Sequence, residues 1–250
     1  MKNSINFILQ GKGGVGKSFT TAILAQYFID EKNMDNIVVG DTDPVNTTTV
    51  KVKRLNADLI QITENSKVIQ SKFDPMFESM LTNSQNTFVI DNGASTFLPL
   101  IQYFNDNCVM DMFEDVEQDV YIHTIIVGGQ ALADTLQGFE ELKQLVKGSK
   151  VKLIVWINEF QGIPALKNTP LIKTKFIEEN KDVIAGLVVI QDRKSDAFTT
   201  DIKELTEKSL TLKEALESEY FGLMAKSRLK RVFNDIYKQL DNIYNNENGE

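Results

Sequence analysis

The chain has 250 residues, 42% of them hydrophobic and 25% charged, the balance of a globular protein with enough chain for a sizeable core. Its apolar runs are strand-sized, which leaves no transmembrane helix, and the first begins within the opening residues, which leaves no room for a secretory leader; a cytoplasmic location is expected. A single cysteine, Cys108, excludes an internal disulfide, a paired-thiol metal site and a cluster-bearing redox protein, and the net charge is −8.

Taken in chain order, residues 5–9 form a short apolar run of buried-strand type, and residues 20–29 continue at helical spacing. Between them Gly11, Lys12, Gly13, Gly14, Val15, Gly16, Lys17 and Ser18 fit a phosphate-binding loop: Gly, four residues, Gly, Lys, then Ser or Thr. Chance produces that pattern in about one chain in a hundred of this length, and the strand before and helix after it lower the odds further. Glycines let backbone N–H groups turn toward phosphates with no Cβ in the way, and the helix start adds its unsatisfied donors. Lys17 is expected on the β- and γ-phosphates and Ser18 on Mg²⁺, so ATP or ADP with Mg²⁺ is the expected ligand set. The alternative is a plain glycine turn.

A strand at 37–40 runs into Asp41-Thr42-Asp43-Pro44, where Asp then Pro also reads as a helix N-cap. A weaker strand follows at 59–62 and a helix at 74–81. Phe88-Val89-Ile90-Asp91 reads as a strand ending in a carboxylate suited to a hard cation. Strands at 121–127, 151–157 and 183–190 alternate with helices at 130–146, 171–179, 196–208 and 212–218. That alternation predicts an α/β fold: a three-layer P-loop NTPase with a mostly parallel central sheet. Residues 1–244 are expected as one nucleotide-binding domain and 245–250 as a disordered tail. Phosphate sites in such folds lie beyond the carboxyl ends of the strands, where the loop, Asp41, Asp43 and Asp91 all fall.

From Phe73 to Leu142 there is no Lys or Arg, while twelve acidic residues occur there, so the rest of the chain is net positive by about four. An acidic middle disfavours nucleic acid, whose binding depends on phosphate neutralisation. His123, alone in an apolar strand, is expected as a core or bracing histidine, and Cys108 as a small buried hydrophobe. Gly128 and Gly129 either approach the phosphates or make a tight turn. Leu229, Val232, Phe233, Ile236, Leu240 and Ile243 form one helical stripe with basic neighbours. It either covers the sheet or, less expectedly, meets a membrane or partner.

The string K-G-G-V-G-K-S resembles the variant (deviant Walker A) loop of the ParA and MinD family of ATPases. The resemblance implies a homodimer formed on ATP, with Lys12 reaching the phosphates of the other subunit. It also implies that Asp43 polarises the attacking water, that Asp41 lies nearer the metal held by Ser18 and Asp91, and that Asn158 reads adenine; a plain turn asparagine is the alternative. The sequence departs from the family at Phe19, where a threonine is favoured, leaving only a backbone N–H for the α-phosphate. It departs again after Asp91, where Asn92-Gly93-Ala94-Ser95 lacks the usual proline. Those departures, with D-T-D-P-V-N, the H-T-I-I-V-G-G-Q-A-L-A-D-T stretch and V-W-I-N, resemble the TraL family of IncP-type conjugative plasmids over nearly the whole chain. That implies a switch acting in conjugation or mobilisation with protein partners of the transfer apparatus. A nucleotide-binding adaptor without turnover and a ligase-type enzyme are the alternatives.

Overall fold

The computed structural model describes residues 1–43, 46–65 and 67–246. The chain begins with β1 (Ser4–Ile8), every residue of which is buried, so the run reads as a central strand covered on both faces. After the glycine loop comes α1 (Lys17–Gln26), which widens into a π-helical turn at Tyr27–Glu31. β2 (Ile37–Asp41), α2 (Thr48–Lys51) and the two-residue β3 (Asp58–Leu59) follow. A small hairpin, β4 (Thr63–Glu64) with β5 (Lys67–Val68), precedes α3 (Asp74–Thr82) and β6 (Thr87–Asp91). Next are α4 (Phe97–Asp106), α5 (Val109–Glu114), β7 (Asp119–Val127), α6 (Leu132–Val146) and β8 (Lys152–Asn158). A second hairpin, β9 (Ala165–Leu166) with β10 (Thr169–Pro170), leads to α7 (Phe176–Glu179) and β11 (Ile184–Ile190). Three helices close the chain: α8 (Asp196–Glu207), α9 (Leu212–Glu217) and α10 (Leu223–Asn246).

The seven-stranded sheet has the order β11-β8-β7-β1-β6-β2-β3, and every pair in it is parallel. Parallel neighbours need crossovers, so the helices are driven onto both faces. Alternate residues of β1 divide between two cores: Phe7 lies with Phe77, Phe104, Phe113 and Phe139 on the α3–α6 side, while Ile8 lies with Ile23, Leu205 and Phe233 on the α1 and α8–α10 side. This is the three-layer, parallel architecture expected from the sequence.

Several local expectations are corrected. Cys108 is exposed, not buried: it sits at φ 50° in the turn between α4 and α5, two helices that the sequence reading passed over. The helix expected at 171–179 is split into a turn at Leu171–Lys173 and the single turn of α7, because the Thr174 hydroxyl accepts from the Phe176 N–H and restarts the helix. Of the strand expected at 59–62 only Leu59 lies in the sheet, since β3 ends there. The stripe from Leu229 to Ile243 is buried against the sheet, so the apolar face of α10 is used up by the core. Among the described residues no helix is long and apolar enough to cross a membrane. The expected tail falls partly in α10, which runs to Asn246, and otherwise outside the described residues.

α10 also closes the outer edge of the sheet. The Gln239 amide donates to the Val189 carbonyl at 3.2 Å and accepts the Val189 N–H at 2.8 Å, standing where a further strand would pair. Gly186 lets the helix in, since a Cβ there would lie 2.4 Å from Ile243.

Candidate functional site

Register puts the site together. Ile8 lies opposite Asp91, and Asp91 opposite Asp41, so the glycine loop and two carboxylates emerge side by side at the carboxyl ends of β1, β6 and β2. The loop turns through Gly14 (φ 74°) and Gly16 (φ 104°), conformations that a side chain would strain, and α1 starts directly at Lys17. Gly11 and Gly13 lie over the turn that follows Asp91: a Cβ on Gly11 would meet the Phe97 ring at 2.9 Å. The helix thus begins three residues earlier than its apolar spacing suggested, because the loop itself supplies the N-terminal turn.

Lys17 is buried, and its ammonium donates to the carbonyl of Lys12 at 3.0 Å. Burial lowers its pKa, while the charges of Asp91 and Asp43 act the other way. Asp91, also buried, is raised by desolvation and held down by hydroxyls of Thr49, Ser18 and Thr21; Thr49 Oγ1 donates to it at 2.6 Å. Asp41 is fully buried, and desolvation pushes its carboxyl up to about 7, although Oδ1 accepts the Asp43 N–H at 2.9 Å. Its Oδ2 is buried with no hydrogen-bond partner. Such an atom is costly in an apolar setting and invites a ligand. Asp43 Oδ1 accepts the Asn46 N–H at 3.0 Å, and its carboxylate packs over Gly93, where a Cβ would lie 2.7 Å from Cγ. The proline expected to open a helix after Asp43 lies outside the described residues.

These groups suit Mg²⁺ with a polyphosphate. A magnesium ion takes one or two carboxylates, keeps waters and borrows phosphate oxygens, so it needs no all-protein cage. Among the described residues no group of three or more His, Cys, Asp or Glu side chains forms such a cage. Asp91 with the Ser18 hydroxyl beside it, and the orphaned Asp41 oxygen one strand away, match that modest requirement.

The remaining predicted residues surround the loop. Lys12 is exposed and ion-paired to Asp134 of α6 at 2.7 Å within the same chain. Phe19 packs its ring against the α1-side core, so only its backbone faces the phosphate end of the helix. Asn158 spends both ends of its amide locally: Nδ2 donates to the Val15 carbonyl at 3.0 Å and Oδ1 accepts the Phe160 N–H at 3.2 Å. Reading adenine with that amide requires these bonds to open. Gly128 serves a close backbone crossing, its N–H donating to the Gly162 carbonyl at 3.1 Å. His123 is fully buried between Trp156 Nε1 at 2.9 Å and Asn6 Oδ1 at 3.2 Å, a bracing role in the core.

Sequence reasoning missed Thr49, Gln10 and Gln161 as residues that shape the site, and took Gly93 only as part of the stretch after Asp91. Thr49 and Gly93 position Asp91 and Asp43. Gln10 binds Thr124, Ile125 and Thr135 beneath the loop, and Gln161 donates to the Gly14 carbonyl at 2.7 Å. Gln10 directly precedes the loop, and Gly93 lies in the Asn92-Gly93-Ala94-Ser95 stretch after Asp91.

Residues 7–245 match the family described as CobQ/CobB/MinD/ParA nucleotide binding domain. Protein TraL of Escherichia coli is 34% identical over 237 residues, covering 95% of this chain and 97% of its own. Among solved structures, a ParA family ATPase from Chlorobium tepidum TLS aligns with a TM-score of 0.51 at 14% identity, over 96% of this chain and 99% of that one. The MinC:MinD cell division protein complex of Aquifex aeolicus aligns with a TM-score of 0.52 at 13% identity, over 96% of each chain. At such identities the structural likeness is one of fold.

Proposed function

This chain belongs to the CobQ/CobB/MinD/ParA nucleotide-binding family, grouped with TraL proteins, and on that premise we propose that it is an Mg²⁺- and ATP-dependent dimeric switch serving plasmid conjugation. The observation that carries the reading is the convergence of Lys17, Ser18, Asp91 and the unpartnered Asp41 oxygen on one glycine loop. When bound, Mg²⁺ supplies charge neutralisation between the phosphates. The chain does the rest by positioning. Backbone donors at the start of α1 cradle the phosphates, and Lys17 exchanges the Lys12 carbonyl for a phosphate oxygen. Asp43 orients the attacking water, and Gly93 senses the γ-phosphate through its contact with Asp43. Lys12 leaves Asp134 to reach the nucleotide of a second copy. Asn158 turns its amide to adenine once its contacts to Val15 and Phe160 open.

Calorimetry with purified protein tests the site: Lys17→Ala should abolish binding of Mg²⁺-ATP, and undiminished affinity would reject it. Asp43→Ala should keep ATP and accumulate a dimer in size-exclusion chromatography. A profile indifferent to ATP in both wild type and Asp43→Ala would favour an adaptor that holds nucleotide without switching. The acidic 73–142 region makes protein components of the transfer apparatus better partners than nucleic acid. Micromolar duplex binding that survives about 200 mM salt would contradict that.

A further inference from the structure

Two buried polar side chains beside the phosphate loop bind each other rather than the loop. Thr42 and Asn92 are 0% and 1% exposed, Thr42 standing between Asp41 and Asp43 and Asn92 between Asp91 and Gly93. A hydroxyl and an amide taken out of water cost free energy unless they are paired, so their partners show what they hold. The Thr42 hydroxyl donates to Asn92 Oδ1 at 2.9 Å, with the Asp91 backbone carbonyl a second acceptor at 3.2 Å. Asn92 Nδ2 donates to the Ile90 carbonyl at 3.1 Å. The amide can face only this way, because turned over it would set Oδ1 against that carbonyl.

The couple lies where the two carboxylate loops leave the sheet. The backbone ladder between β2 and β6 ends with the Thr42 N–H on the Asp91 carbonyl at 2.9 Å, and the side-chain bond carries the connection one residue further. Beyond it Asp43 and Gly93 stand in contact, so close that a Cβ on Gly93 would lie 2.7 Å from Asp43 Cγ. The turn at 92–95 has no proline to fix its backbone, and hydrogen bonds hold it instead: the Gly93 carbonyl accepts the Thr96 hydroxyl at 2.8 Å and the Thr96 N–H at 3.2 Å. Among the described residues neither the Thr42 nor the Asn92 side chain hydrogen-bonds Lys17, Ser18 or the glycine loop.

We propose that the Thr42–Asn92 hydrogen bond holds Asp43 in line for the attacking water, making Thr42 and Asn92 positioning residues for hydrolysis. The inference rests on the hydrolytic reading of Asp43 and adds what fixes that carboxylate in place. Asp43 is half-buried and lies two residues past the last paired residue of β2, so its direction depends on Thr42 before it and Gly93 across from it. Cutting the bond frees the Thr42 side chain and lets the 42–43 and 92–93 backbones drift apart, while Lys17 keeps its bond to the loop and Asp91 its bond to Thr49. A reacting group misplaced by about 1 Å loses about a hundredfold in rate, so the cost falls on turnover and not on nucleotide affinity.

The test is steady-state phosphate release from Mg²⁺-ATP by the full chain, comparing wild type with Thr42→Val and Thr42→Ser, alongside calorimetry of ATP binding and urea unfolding of each. Valine keeps nearly the shape of threonine but donates nothing, whereas serine keeps the hydroxyl. We expect kcat of Thr42→Val to fall at least about tenfold with KM and ATP affinity within about threefold of wild type, and Thr42→Ser to recover most of the loss. Should Thr42→Val fail to fold, Asn92→Ala removes the acceptor instead and should show the same split. Wild-type kcat in a folded variant lacking the bond would overturn the proposal and leave Asp43 its role. So would a serine variant as slow as the valine one, or a loss of ATP affinity that matches the loss of rate. A wild type that binds ATP but releases no phosphate would overturn the hydrolytic reading and this inference with it.

Discussion

Replacing His123 by Asn should change how stability depends on pH. Trp156 can only donate from Nε1, so His123 Nδ1 must accept and the proton resides on Nε2, facing Asn6 Oδ1. Protonating Nδ1 would set two donors against each other in a site with no exposure, and burial lowers the pKa from 6.5 to about 3. A lowered histidine pKa means that the unfolded chain binds more protons than the native one between those values. The stabilising contribution is therefore complete above 6.5 and is lost as pH falls. Between about pH 7.5 and 5.0 the loss is about 2 kcal/mol, from 1.36 kcal/mol per unit applied to the unfolded titration. Asp41, raised to about 7, works in the opposite sense, favouring the native state as pH falls toward the ordinary carboxylate range. It is common to both proteins and cancels in their difference. Urea unfolding across that range should show the wild-type advantage over His123→Asn shrinking by about 2 kcal/mol toward acid. Parallel stability curves would refute the assignment, and because this is the chain's only histidine no other imidazole could mask the effect.

Two glycines make sharper tests of the site. In Gly93→Ala the new methyl would lie 2.7 Å from Asp43 Cγ and displace the carboxylate, so ATP affinity should hold within about threefold while turnover falls at least about tenfold. Wild-type turnover in a steady-state phosphate-release assay would remove Asp43 from the reaction. In Gly138→Ala the methyl would lie 2.2 Å from Gln10 Oε1, breaking a buried amide away from Thr124, Ile125 and Thr135. Thermal and urea unfolding should report a loss of about 2–4 kcal/mol, and a neutral result would show that Gln10 can move freely.

What could be read in the sequence was whatever is encoded locally. The phosphate loop is contiguous, and a parallel sheet buried on both faces writes its strands as apolar runs, so β1, β2, β6, β7, β8 and β11 were all visible. The short edge pieces were not, since two residues of β3 or of a hairpin carry no period. α4 was hidden by Pro99, which interrupts an apolar run yet is tolerated in a helix's first turn. The β9–β10 hairpin turns on Lys167-Asn168 rather than the usual Asn-Gly signal. Thr49 and Gln161 reach the site through tertiary contacts 42 and 147 positions away in sequence, and no local pattern could announce them.

The amide of Gln239 on Val189 decides where this protein can grow. An unclosed outer strand offers a row of donors and acceptors to any extended chain, including those emerging unfolded from synthesis. Here one side chain from the last helix imitates the missing neighbour and terminates the ladder. Because the plug belongs to α10, it is set only when the C-terminus has docked, making the final helix a guard against premature strand exchange. Gln239→Ala would leave each copy's sheet with an open flank, and association by that route would owe nothing to nucleotide.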